Sequence, residues 1–185
     1  MLGRAPVYAR WVPFAGRFNH SYWFSLEEKI RQWQPDDTLP QVDDTGLIQV
    51  PKSSDYLQWR YVQCPVPEYG LEVLHHGNTD YHFFVKLKDY RYVRELRVCD
   101  VWSSGPTDWN FVARAAAQLA RKAGCGMVSV MPCPGKEMAL MRQGYISLKS
   151  FANIITVKDI NLGADFRALQ QPRNWSFRTG DLELF

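Results

Sequence analysis

The chain has 185 residues, 46% apolar and 22% charged, which is enough ordinary globular sequence for one domain, or one domain with an arm, around a real core. Its 22 Lys and Arg are scattered among 19 acids, for a net charge of +3 and a pI near 8.7. No concentrated basic face is written, and no nucleic-acid partner is expected. No apolar run approaches the length of a membrane span, and Arg4, Arg10 and Arg17 break up the apolar residues of the start, so no membrane partner is expected and a cytoplasmic location is.

Residues 1 to 20 show no clear period and contain Pro6, Pro13 and Gly16, which suits an arm or a strand-like lead-in. "FSLEEKIRQWQP" then reads as a short helix. Ser25 is its cap, Glu28 completes a capping box, Pro35 follows its end, and Phe24, Ile30 and Trp33 supply buried contacts. Residues 35 to 54 are rich in Pro, Asp, Gly and Ser, a linker with at most a short strand over Leu47 to Val50. The expected division is an N-terminal arm and linker over 1–50 and a folded domain over 51–185.

"SDYLQWRYVQCP" begins with Ser53 or Ser54 as a helix cap and Asp55 near the positive end. Tyr56 with Trp59, and Leu57 with Tyr61, have the spacing of one helical face. The period then changes. "YGLEVLHH", "YHFFVKLK" and "RELRVCDVW" read as an antiparallel meander of three strands, with "GNTD" as the first turn. The helix over 108–123 follows, with Thr107 or Asp108 as cap and Gly124 as stop, and its alanines suit close approach to a sheet. "MVSVM" is a short buried strand, and "KEMALMRQ" a short helix that Gly144 ends. "YISLKSFANIITVKDI" is strand material with a break near Ala152 and Asn153, and "ADFRALQQP" one more helical turn. This order predicts an α/β fold, a mostly antiparallel sheet flanked by helices. Cys64, Cys99, Cys125 and Cys133 form no CxxC pair and read as free thiols of a reducing compartment. The many Trp, Tyr and Phe point to an aromatic core or an interface.

The meander, the helix 108–123, "MVSVM" and "KEMALMRQGY" with Gly144-Tyr145 resemble, over about residues 53–160, the acyl-CoA-dependent N-acyltransferase superfamily called GNAT. In that superfamily the second strand splays away from the one before the helix. "DYLQWRYVQCP" and the closing "WSFRTGD" are similar to the C-terminal half of two-lobed GNAT-like proteins associated with polysaccharide biosynthesis. The resemblance implies a GNAT-like fold with an N-terminal helical arm. It implies acetyl-CoA or another acyl-CoA as cofactor and a small-molecule amine, such as that of a sugar nucleotide, as acyl acceptor. A homodimer or a partner GNAT lobe is the implied assembly. The pantetheine would lie along Val101 and Trp102, and the phosphates would face Ser103, Ser104 and Gly105.

The familiar chemistry is only partly present. The stretch "WSSGPTDWN" has one glycine, Gly105, and the following Pro106 has no N–H for a pyrophosphate. Asp108 places a negative charge there, and Leu140 stands where many members carry a Tyr acid. Glu68, Glu72, His75 and His82 are the acid–base candidates on the strands, with Glu72, His75 and His82 the catalytic set. His75, His76 and His82 share a hairpin, but no acid or Cys spacing completes a metal site. Trp59, Arg60, Trp175 and Asp181 are the substrate-binding candidates by stacking and charge, against a packing role in which Arg60 meets carbonyls or Asp181 and the tail is pinned by a turn at 175–181. Two functions stay open: N-acyl transfer, or a non-catalytic GNAT-like lobe for dimerisation or substrate recognition. A basic and aromatic module for polysaccharide or RNA, built on "KLKDYRYVRELR", is a further alternative.

Overall fold

The structure, a computed structural model, describes residues 3–13, 16–34, 47–49, 53–64, 68–155, 171, 174–176 and 178–179. Strand β1 spans Gly3–Trp11, helix α1 His20–Gln32 and β2 Ile48–Gln49. Helix α2, Ser54–Leu57, runs directly into a π-helical turn, Gln58–Val62. The meander is β3 Tyr69–His76, β4 Thr79–Asp89 and β5 Arg94–Ser103. Then come α3 Trp109–Ala123, β6 Met127–Val130, α4 Glu137–Arg142, β7 Ile146–Ile155 and β8 Trp175–Ser176. Six strands make one sheet in the order β3-β4-β5-β6-β1-β7, and β2 pairs with β8 separately. Only β5 and β6 are parallel in the large sheet, so it is a mostly antiparallel α/β sheet with helices, as expected. No helix among the described residues is long and apolar enough to cross a membrane.

Of the arm or strand-like lead-in expected for the N-terminal segment, residues 3–11 take the strand form, and β1 is interior to the sheet, hydrogen-bonded to β6 on one side and β7 on the other. Pro6 hid it, because a proline cannot donate to a ladder. The sheet accommodates Pro6 at a register shift between Ala5 and Val7, where Ala5 faces Asn153 and Val7 faces Leu148. The extra β7 residues lie between Leu148 and Asn153, where a break near Ala152 and Asn153 was expected; β7 bulges there and continues. The boundary expected at residue 50 falls outside the described residues, as does the helical turn of 164–172 apart from Gln171.

Helix α1 starts five residues before the expected Ser25 cap. Asn19 is the cap, its side chain accepting from the Tyr22 amide at 3.0 Å. Ser25 lies inside the helix and donates to the Tyr22 carbonyl at 2.7 Å, a bond back along the chain that short hydroxyl side chains readily make. Trp23, Leu26 and Ile30 are the buried apolar residues of α1, whereas Phe24 is exposed. The helix lies so close to β3 that a Cβ on Gly70 would come within 2.7 Å of Leu26 Cβ.

Two apolar clusters sandwich the sheet. On one face α3 lays Val112, Ala113, Ala116 and Leu119 over Phe83, Val85, Leu96 and Val98, with Trp23 and Leu26 of α1 alongside. The second cluster holds Leu57, Tyr61, Tyr69, Leu71, Phe84, Cys99 and Trp102 on the other face. β5 serves both by alternation and also carries a bulge. Phe84 faces Asp100 while Val85 faces Val98, so Cys99 is the inserted residue. All four cysteines are free, and burial pushes the Cys99 thiol up to about 12.

Asp108 caps α3 and Gly124 ends it in the left-handed region, φ 72°, as the sequence predicts. Close approach adds to the requirement for glycine. A Cβ on Gly124 would lie 2.1 Å from the Arg17 carbonyl oxygen, where the chain into α1 crosses and the Asn19 amide bonds to Ala123 at 3.0 Å. Gly124→Ala should therefore lower stability by about 3 kcal/mol, from strained φ plus overlap. Chemical denaturation checks this, and a loss under 1 kcal/mol would show that the α1 entry yields easily.

Candidate functional site

The expected catalytic residues do not converge. Glu72 and His75 are three apart on β3, so strand alternation sends them to opposite faces. Glu72 is buried beneath α1 and forms an ion pair with Lys29. His75, at the exposed hairpin end, pairs across the turn with Asp80. His82 is half-buried in β4 between Val73 and Trp102 of the neighbouring strands. His76 instead stacks on Phe111 of α3, ring centroids 4.3 Å apart, with Asp108 3.9 Å away. Glu68 is exposed. No group of three metal-ligating side chains exists among the described residues.

The cofactor-binding candidates Val101, Trp102, Ser103, Ser104 and Gly105 do lie together, on the end of β5 and the turn into α3. Val101 is buried on the α3 face and Trp102 on the other. The backbone of the turn is already engaged. The Ser104 amide donates to the Asp80 carbonyl at 2.9 Å, and the Ser104 hydroxyl accepts from the Asp80 amide at 2.8 Å. The Ser103 hydroxyl reaches the Gly105 carbonyl at 2.6 Å and Thr107 at 2.8 Å. At the helix start, the Asp108 amide donates to the Tyr81 hydroxyl at 3.0 Å, and the Asp108 carboxylate takes the Asn110 amide at 2.8 Å. A phosphate cradle needs convergent, uncommitted N–H groups, and these three amides point into the protein's own acceptors. β5 pairs with β6 only over Glu95–Arg97, opposite Met127–Ser129, and runs on to Ser103 without it.

The substrate-binding candidates also separate. Arg60 is 1% exposed, its guanidinium 5.6 Å from the Tyr69 ring centre. Tyr61 stacks on Phe84 at 4.4 Å and donates to the buried Asp100 at 2.5 Å. Both residues are core, held by a π-helical turn whose Gln63 amide reaches back to Gln58 at 2.9 Å. Trp59 points outward, half exposed against Tyr56. Trp175 is the β8 partner of Ile48, and Asp181 lies outside the described residues.

A different site emerges on the sheet face away from α3. A cavity of about 670 Å³ opens over β5, β6, β1 and β7. Val7, Ala9 and Trp11 of β1, Met127 of β6, and Ile146 and Leu148 of β7 make it largely apolar, with Thr179 at its margin. Its floor is polar. Glu95 is 1% exposed and takes two hydrogen bonds from Arg97, Nε at 3.0 Å and Nη2 at 2.9 Å. The Ser129 hydroxyl also donates to Glu95, as does Tyr90, whose oxygen accepts from Arg97 at 3.2 Å. Burial by itself would raise the Glu95 pKa. The Arg97 hydrogen bonds and charge, with Ser129 and Tyr90, outweigh that and hold the carboxyl below its ordinary value. Glu95 is therefore an ionised anchor, not a general base poised near neutrality.

Sequence reasoning read "RELRVCDVW" as a strand and weighed "KLKDYRYVRELR" as a basic and aromatic stretch with about half its charges on an exposed face. Alternation does place Glu95 and Arg97 on one face, but only the pairing of β1 and β7 beyond β6 extends that face into a cavity. No protein-family model, no curated protein and no solved structure matches this chain. The functional reading rests on its own residues.

Glu95→Gln leaves the Arg97 charge without its two-point partner and should cost about 3 kcal/mol at neutral pH. Because the folded-state pKa lies below the ordinary 4.5, the stabilisation is complete above that value and is lost as pH falls through the folded value. Denaturation from pH 7 to pH 3 should show the gap between parent and variant closing below about 4.5. A gap that is constant with pH would remove the ionised pair from the account.

Proposed function

We propose that this chain is a GNAT-like recognition lobe that holds a small organic molecule on the sheet face, and is not a free-standing N-acyltransferase. The observation that carries this is the cavity of about 670 Å³ with its polar floor of buried Glu95 and Ser129 and half-buried Tyr90 and Arg97. Small-molecule sites run from about 300 to 1,000 Å³ and join apolar walls to a few fixed polar groups. The engaged amides at Ser104, Asp108 and Asn110 support the same reading, because an acyl-CoA pyrophosphate would have to displace bonds that close the fold. In this reading the lobe presents a substrate to an active lobe or partner, in the setting of polysaccharide biosynthesis that the resemblance implies.

Acyl transfer from acetyl-CoA to an amine is the second reading. The end of β5–β6 pairing at Arg97 and Ser129 favours it, since the β5 backbone at Val101 and Trp102 is not paired with β6. Two titrations separate the readings. Acetyl-CoA, with desulfo-CoA as a control for thiol exchange at the cysteines, should give no saturable heat. Nile red, an uncharged apolar dye, should bind with one-to-one stoichiometry, and Ile146→Asp at the exposed cavity rim should weaken it several-fold. Micromolar binding of both coenzymes, about −8 kcal/mol, would overturn the recognition reading in favour of catalysis.

A further inference from the structure

Resting on the recognition reading, we infer that the ligand of the sheet-face cavity is an uncharged molecule with an aliphatic body and a hydroxyl head, which donates its proton to the oxygens of Tyr90 and Ser129. The walls set the body. Val7, Ala9, Met127, Ile146 and Leu148 offer no hydrogen-bonding side chain, so whatever covers them gains by leaving water and not by polar contact.

The floor sets the head. Its charges are cancelled inside the protein, because Arg97 meets Glu95 through two nitrogens and two oxygens at 3.0 and 2.9 Å. A bidentate pair of this kind has little field left for a ligand. An ionised head brought into a water-poor cavity loses hydration worth several kcal/mol and needs an uncompensated opposite charge to recover it. Neither member of the pair supplies one. Arg10 also lines the cavity, at the margin near Gly144. It is only half-buried, and a charge that water reaches recovers little of that loss.

What the floor does offer is acceptor capacity. The Ser129 proton is directed to Glu95, and the Tyr90 oxygen takes one hydrogen from Arg97. A hydroxyl oxygen has two lone pairs, so Tyr90 keeps one acceptor position and Ser129 keeps two. A donor completes Ser129, whereas a ketone, ester or ether oxygen placed there would meet an oxygen whose proton is already given to Glu95. An amine is the other common donor, but in water it carries the charge that the floor does not compensate.

The test is competition against Nile red on the full chain with three eight-carbon probes: 1-octanol, octanoate and octylammonium. The neutral alcohol should compete at least tenfold better than either ion. Glu95→Gln, which releases the Arg97 charge, should improve octanoate about tenfold relative to octanol. Should that variant fold poorly, the exposed-rim change Ile146→Asp serves in its place. It should weaken octanol several-fold and octanoate more. Equal competition by all three probes, or preference for an ion, would overturn the inference while Nile red binding left the recognition reading standing. Loss of Nile red and octanol binding together would overturn both.

Discussion

Strand β5 is bonded to β4 along its whole length and to β6 over three residues, and the rest of the molecule follows from that inequality. The bulge at Cys99 turns the strand, so that residues beyond it serve β4 alone. Before the bulge, β5 sends Leu96 into the α3 cluster and Glu95 and Arg97 to the other face, against Ser129. After it, Asp100 and Trp102 close the second cluster with Tyr61 and Leu57. One strand thus divides the face opposite α3 into a packed half, under the π-helical turn, and an open half over β6, β1 and β7.

The two halves bury charge in different ways. In the packed half, Arg60 and Asp100 are enclosed by aromatic rings, and Tyr61 gives Asp100 a short hydrogen bond. Such a side chain has value for positioning a turn, since a misplaced helix would strand a buried charge. In the open half, Glu95 and Arg97 serve each other first and face a cavity second. The apolar body of that cavity and its cancelled charge suit selection of a ligand by shape and by one hydrogen bond. They suit acid–base work poorly, because a carboxylate held by a guanidinium resists taking a proton.

The turn from β5 into α3 is held by hydrogen bonds between elements. Asp108 satisfies the helix start, Tyr81 satisfies the Asp108 amide, and Asp80 exchanges two hydrogen bonds with Ser104. These bonds tie the β3–β4 hairpin to α3, a link that the His76–Phe111 stack reinforces. The Ser104 and Asp108 amides thus help to hold these elements together.

Local order was legible along much of the chain. Strand alternation in "YGLEVLHH", the Asp108 and Gly124 ends of α3, and the Ser53 cap are set within a few residues of sequence, and the structure has each of them. The start of α1 was misread because Ser25 satisfies a local capping pattern that Asn19, six residues earlier, also satisfies and occupies. The place of β1 was beyond local reasoning. Its partners, β6 and β7, lie more than a hundred residues away, and Pro6 removed the usual strand signal.

The candidate site was harder still. "RELR" states a charge pattern, but whether those charges sit in water or beneath a cavity depends on which strands continue the sheet beyond β6. The sequence by itself determined the class of fold and the identity of the groups, since periodicity and capping act between near neighbours. Only the tertiary structure decided that Glu95, Arg97, Tyr90 and Ser129 meet beside apolar walls, because that meeting is made by strand order, which no short-range pattern records.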